Sequence, residues 1–292
     1  MMRKSFERLI VLFSWGSFVF LSAILLCIFI YLVTRGGGII GSRLVFGDVS
    51  PLDALLLRQR VFDGLFPAIV GTFALVVLAV GIALPAGLAA GIYMAEYASG
   101  WMKKVLSALF DVLAGLPSIV IGLAGFTLTL FLHKTLPNRI GPCLFISALA
   151  LSFLIMPYLV RSSQMALESI PLALRHTAPA MGATRLQNIF YVLLPNCMPD
   201  ILGGAILAIG RAAEDTAVIM LTGVVASAGL PRSFFEQFEA LPFYIYYISS
   251  QYANPKELQM GFGAALLLLA LCGILFVFAF LMEQLIQRRM LR

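Results

Sequence analysis

The sequence predicts an all-α, polytopic membrane fold with about six transmembrane helices, on three observations. Of 292 residues, 61% are hydrophobic and 12% charged, against about a quarter charged in an ordinary soluble domain. Mean hydropathy is +0.99. The charges cluster, and the gaps between them are long enough to cross a hydrocarbon core of about 30 Å.

The same composition excludes several functions. A net charge of +6 in so apolar a chain reflects basic loops facing the cytoplasm and anionic membrane lipid, and no nucleic-acid partner is expected. Cys27, Cys143, Cys197 and Cys272 lie far apart without CxxC spacing, which argues against a disulfide framework or a zinc site. His133 and His176 are the only histidines, too few for a histidine metal centre. His133, beside Lys134 at a helix end, reads as an interfacial residue.

In chain order, the first span is the charge-free run Leu9–Thr34 after Arg3, Lys4 and Arg8. It exceeds the roughly 7–15 apolar residues of a signal-peptide core, so an uncleaved helix is expected. A polar segment from Arg35 to Asp63 follows, with a short interfacial helix at Pro51–Arg60. The second span lies within Gly64–Ala95, where Gly87-x-x-x-Gly91 permits close helix approach. Glu96–Asp111 reads as a polar turn. Val112–Leu132 is the third span, interrupted at Gly115-Leu116-Pro117-Ser118, and Ile140–Val160 is the fourth. After a polar stretch to Asp200, the fifth runs from about Ile201 to Ala226. Pro231–Glu257, with Phe234, Phe235, Phe238, Leu241, Tyr244, Tyr246 and Tyr247, suits an interfacial aromatic segment. Leu258–Met282 is the sixth. Residues 1–64 thus form an N-terminal helix plus external segment, and 65–292 the main transmembrane domain.

Six spans leave both termini on one side. Eleven Lys and Arg fall there against eight on the other, which puts the termini and the loop between spans four and five in the cytoplasm. In that loop, Leu172, Leu174, Ala178 and Met181 recur near helical spacing, and Gly182 offers a stop. Thr184 and Gln187 stand in capping-box spacing, so a second short helix begins at Arg185. It carries Leu186, Ile189, Phe190 and Leu193 on an apolar face and ends before Pro195, with a hinge from Pro195 to Pro199.

Arg175-His176-Thr177-Ala178-Pro179-Ala180-Met181-Gly182-Ala183, closed by Val192-Leu193-Leu194-Pro195, resembles the EAA loop of ABC-importer permeases, here residues 171–195. Gly182, Leu194 and Pro195 fall in register, while His176 and Thr177 replace the loop's glutamate and first alanine. Leu113–Gly122, Tyr93-Met-Ala-Glu-Tyr97 and Gly210-Arg-Ala-Ala-Glu-Asp-Thr-Ala217 resemble motifs of phosphate-importer permeases, with Asp215 at the family glutamate and Glu214 at a glycine. The resemblance covers roughly residues 65–282. It implies a type I importer permease of the bacterial inner membrane whose cytoplasmic coupling helices seat on a separate ATPase. Arg175, His176, Thr177, Ala178, Gly182, Ala183, Leu194 and Pro195 would make that coupling. His176, with no carboxylate within one turn, reads as a structural contact. Implied partners are a similar but non-identical permease, two ATP-binding subunits and an external phosphate-binding protein. None of the five lysines follows a glycine, so the chain has no P-loop. ATP and Mg belong to the partner; no cofactor, metal or catalytic residue is expected here.

Arg211, Glu214 and Asp215 lie about 16–22 Å along the expected fifth helix, where a charge costs about 2.5–3.5 kcal/mol. Spacings of three and four residues place them on one face. One reading is an ion cluster serving packing or subunit registry. The other is an anion path, with Arg211 offering a guanidinium fork to phosphate, the carboxylates holding it, and Thr216 beside them. Another oxyanion, such as sulfate or molybdate, is the nearest alternative cargo. A single-chain channel or secondary transporter would work without ATP, but no inverted repeat is visible. An intramembrane enzyme lacks the His, Ser or metal that would accompany the carboxylates.

Overall fold

The computed structural model of the chain describes residues 2–55, 61, 64–135 and 141–290. Among them no strand occurs, and one isolated bridge joins Val224 to Phe238. The helices are α1 (Met2–Gly36), α2 (Ser42–Phe46), α3 (Pro51–Leu55), α4 (Phe66–Ile92), α5 (Gly100–Gly115), α6 (Ser118–Thr135), α7 (Leu144–Glu168), α8 (Leu172–Ala180), α9 (Arg185–Asn188), α10 (Leu194–Glu214), α11 (Ala217–Thr222), α12 (Leu241–Gln251) and α13 (Pro255–Met290). Among the described residues, six helical stretches are long and apolar enough to cross a membrane, so the all-α multi-pass reading holds.

α7 is the central post. Gly87 and Gly91 of α4 face Leu159 and Ser163, where an added Cβ would stand 2.6 Å from each side chain's Cβ. The GxxxG spacing thus marks a real close approach. On another side, a Cβ at Gly204 of α10 would collide with Ser162 Oγ. Leu151, Ile155 and Leu159 fill the core between these helices. α1 lies outside that core, exposed from Leu9 to Tyr31, and leans on α13 where Gly36 abuts Phe262 and Gly263. The last turns of α1 thus meet the start of α13. α2, α11 and α12 lie at that far end of the bundle, and α8 and α9 at the opposite, terminal end.

Several boundaries differ from those read in the sequence. The stretch Glu96–Asp111 is largely helical: a π turn over Tyr93–Tyr97 is followed by α5. Its charges find partners on α7, Lys103 on Glu168 at 2.7 Å and Asp111 on Arg161 at 2.5 Å. Pro117 then forces Leu116 into extended backbone (φ −68°, ψ 132°), as a residue before proline prefers. The third span therefore starts at Ser118, and Val112–Gly115 belongs to α5. The fourth starts at Leu144 and runs on to Glu168 because Arg161 and Glu168 are paired. Pro51–Arg60 is helical through Leu55; Leu56–Arg60 lie outside the described residues, as do Leu136–Ile140 of the following loop.

The fifth helix is the largest correction. It does not wait for Ile201 or break at Pro195. Helix is continuous from Arg185 to Glu214 through a π turn, Ile189–Leu193, in which the Leu194 amide donates to the Ile189 carbonyl. Pro195 directly follows the π turn inside this continuous helix and donates no backbone bond, and Asn196 Nδ2 donates to the Val192 carbonyl at 2.7 Å. Nor does it reach Ala226: it stops at Glu214, Asp215 is extended (φ −73°, ψ 125°), and α11 resumes at Ala217. The aromatic segment divides. Phe234, Phe235, Tyr246 and Tyr247 are exposed, while Phe238 and Leu241 are core residues, held because the Phe238 carbonyl accepts from Val225 N and Thr72 Oγ1 accepts from Leu241 N. All four cysteines are free.

Candidate functional site

Two sites lie on the continuous fifth helix, one near each end. At the terminal end, α8 and α9 form a knob. Gly182, at φ +88°, makes the turn between them in a conformation glycine adopts at no steric cost. Thr184 then caps α9: its Oγ1 accepts from Gln187 N, and Gln187 Oε1 accepts from Thr184 N at 2.8 Å. This is the reciprocal capping box expected from the sequence.

The knob's apolar face splits in two. Ile189, Leu193 and Leu194 pack inward with Leu167, Ile170 and Ile201. Met181, Leu186, Phe190 and Tyr191 stand open, Met181 88% exposed. So much exposed apolar side chain on a polar end of the molecule marks an interaction surface. Of the residues assigned to ATPase coupling, His176, Thr177 and Gly182 are exposed, and Ala178, Ala183 and Pro195 half-buried. Leu194 is buried, and Arg175 turns inward, its Nη1 on Glu96 Oε1 at 2.6 Å and its Nη2 on the Leu167 carbonyl at 2.5 Å.

The second site is the charge cluster, and it caps a helix end instead of sitting inside one. Arg211 Nη1 donates to Glu214 Oε1 at 3.0 Å, and its Nη2 lies 3.5 Å from Asp215 Oδ2. The Asp215 side chain is 3% exposed and uses Oδ1 to accept from Val218 N at 2.9 Å. It therefore holds the first turn of α11 and orients the guanidinium with one carboxylate. Arg211 is 33% exposed and Glu214 63%. Thr216, half-buried, stands at the start of α11. The cation is thus bracketed by two carboxylates, one buried and fixed, one open.

Arg211 and Glu214 continue an exposed row down α10 through Leu207, Asp200 and Asn196, at spacings of three, four and seven residues that keep one helix face. Polar groups on a spanning helix tend to avoid lipid and face a bundle interior or a watery cavity; Leu207 is the apolar member of this row. The sequence reading did not include Asn196, Asp200 or Leu207, although their helical period was available. It also quoted Glu96 within Tyr93–Tyr97 without assigning it a role. α6 and α11 lie side by side next to the cluster, with a Cβ at Gly122 falling 3.0 Å from the Ala217 carbonyl. No group of three or more His, Cys, Asp or Glu suited to a metal occurs among the described residues.

The chain is similar to known proteins in sequence and in fold. Residues 87–292 match the family described as binding-protein-dependent transport system inner membrane component. The chain is 37% identical over 183 residues to the "Probable ABC transporter permease protein YqgH" of Bacillus subtilis, spanning 60% of this chain and 59% of that one. It is 34% identical over 219 residues to the phosphate transport system permease protein PstA 1 of Mycobacterium tuberculosis, covering 73% of this chain and 68% of the relative. Among solved structures, a bacterial ABC transporter involved in import of the acidic polysaccharide alginate is similar with a TM-score of 0.60 at 19% identity, over 90% of this chain and 94% of that one.

Proposed function

Because this chain belongs to the family of binding-protein-dependent transport inner membrane components, we propose that it is the permease subunit of an ATP-driven phosphate importer. It would form the translocation path together with a second, similar but non-identical permease. Two separate ATP-binding subunits would carry ATP and Mg and perform the hydrolysis, and an external phosphate-binding protein would deliver the anion. Both termini and the α8–α9 knob would face the cytoplasm.

The observation that carries this reading is one continuous helix, Arg185–Glu214. It begins in the open apolar knob and ends at the bracketed guanidinium. A push on the knob from an ATPase would reach the anion-binding group through about 30 residues of continuous helix, about 45 Å at 1.5 Å per residue, with Pro195 and Pro199 each omitting one backbone N–H. His176, Thr177 and Gly182 are the polar contacts available to the ATPase, with Met181, Leu186 and Phe190 as apolar ones.

The charge balance at Arg211 favours a protonated oxyanion over a fully ionised one. One guanidinium faces two carboxylates, so any dianion meets net repulsion, and sulfate has no proton with which to hydrogen-bond a carboxylate and offset it. Hydrogen phosphate instead offers a P–OH that a carboxylate accepts while Arg211 takes the ionised oxygens. Reconstituted with its partner subunits, the complex should import phosphate in an ATP-dependent manner. Phosphate should also compete far better than sulfate or molybdate in stimulating hydrolysis. Equal stimulation by the three anions, or uptake by this chain alone without ATP, would sink the proposal.

A further inference from the structure

We infer that Arg175 is a strut that makes the α8 knob and the adjoining end of α4 move as one body; it deepens the importer reading and rests on it for the existence of a stroke. The sequence suggests that Arg175 faces a partner subunit. In the structure its charge is spent inside the chain. Nη1 donates to Glu96 Oε1 at 2.6 Å and Nη2 to the Leu167 carbonyl at 2.5 Å, while its own backbone carbonyl accepts from Asn188 Nδ2 at 3.0 Å. One residue thereby joins the end of α4, the end of α7, α8 and α9.

The pair is mostly buried, with side chains 18% and 14% exposed, so each charge depends on the other for its solvation. The neighbouring carboxylate, Glu168, takes its hydrogen bonds from Lys103 and Gln164 and acts on Arg175 through charge alone, so Glu96 is the carboxylate hydrogen-bonded to Arg175. The two π turns flank this point. Glu96 lies inside Tyr93–Tyr97, and Asn188 directly precedes Ile189–Leu193. π turns in helices are rare and concentrate at functional sites. Here each lies where a spanning helix meets the knob. A displaced knob would therefore move by two routes, along its own helix to Arg211 and across Arg175–Glu96 to α4. Arg175 is a positioning residue and touches no cargo.

The test uses the assembled importer in lipid, with spin labels at Ala180→Cys in α8 and Tyr97→Cys at the end of α4, in a background without the four native cysteines. The expected result is one label separation shared by the nucleotide-free and ATP-trapped states, and two differing separations once Arg175→Met is added. Glu96→Gln, which keeps shape but removes the charge that compensates the buried guanidinium, should behave likewise and covers failure of the first variant to assemble. This readout does not depend on the anion. With phosphate as cargo, both variants should hydrolyse several-fold more ATP per anion imported, and the exchange Glu96→Arg with Arg175→Glu should recover part of the loss. A separation that changes with nucleotide in the unmodified strut, or that stays fixed in both variants, overturns the inference. Absence of phosphate uptake by the unmodified complex would count against the cargo alone.

Discussion

Asp215 serves Arg211 and α11 with different oxygens of one carboxylate: Oδ2 lies 3.5 Å from the Arg211 guanidinium, and Oδ1 accepts from Val218 N at 2.9 Å. The two roles separate by substitution. Asn at 215 can still accept from Val218 N but carries no charge. Asp215→Asn should therefore assemble normally and transport poorly. Asp215→Ala also loses the cap, which costs about 1 kcal/mol, and should lower thermal stability as well. Thermal unfolding in detergent alongside uptake in vesicles distinguishes the two variants. Full uptake by Asp215→Asn would remove the carboxylate from the path.

Arg211→Ala should abolish phosphate uptake while leaving membrane insertion and complex assembly intact, since the guanidinium is one-third exposed. Arg211→Lys keeps the charge but loses the planar fork that grips two oxygens. It should recover only part of the rate, with the greater loss in apparent anion affinity.

Gly71 tests the far-end packing. A Cβ there would collide with the Glu239 carbonyl, a backbone atom unable to step aside, so Gly71→Ala should destabilise by about 1–3 kcal/mol. Gly81, on the same helix, has nothing within 4 Å, and Gly81→Ala should be near neutral. At Gly204 the obstacle is the Ser162 hydroxyl, so Ser162→Ala should rescue Gly204→Ala in part. Melting temperatures of the four variants check the order.

A pH dependence follows from Glu239 in the far-end loop. Burial raises its carboxyl above the ordinary value, against the Gly229 N–H that pulls it down. The folded chain thus holds this proton more tightly than the unfolded one. Its favourable contribution is complete below the unfolded value of about 4.3 and is lost as pH rises through the raised one. Glu239→Gln keeps an acceptor for Gly229 and should flatten that part of a melting-temperature profile. An unchanged profile would remove Glu239 as its source.

Much of the fold was legible because hydrophobic length and local capping are local properties. The capping box at Thr184 and Gln187, the turn at Gly182 and the break at Pro117 each follow from a few adjacent residues. What escaped depends on distant ones. α5 looked like a polar turn because Lys103 and Asp111 find Glu168 and Arg161 fifty or more positions away. Phe238 looked interfacial because nothing nearby announces its bond to Val225. The fifth helix was misplaced at both ends. Residues beyond Asp215 are apolar enough to hide its stop, and a π turn carries the helix to a proline that reads as a terminator. At the charge cluster, spacing alone gave the shared face of Arg211, Glu214 and Asp215. It did not give the division between a buried, double-duty Asp215 and an open Glu214.

The glycine seam between α4 and α7 has a mechanical consequence. Where Gly87 and Gly91 lie against Leu159 and Ser163 there is no clearance, so this pair has no slip plane. Sliding one helix past the other by even part of a turn would drive side chains into backbone. Two joints where the ladder of backbone bonds is interrupted lie outside this seam, at Leu116–Pro117 and at Asp215–Thr216. Those two joints flank α6 and α11, which pack on each other. The subunit is in this sense a stiff frame carrying one flexible panel, and that panel is edged by Arg211.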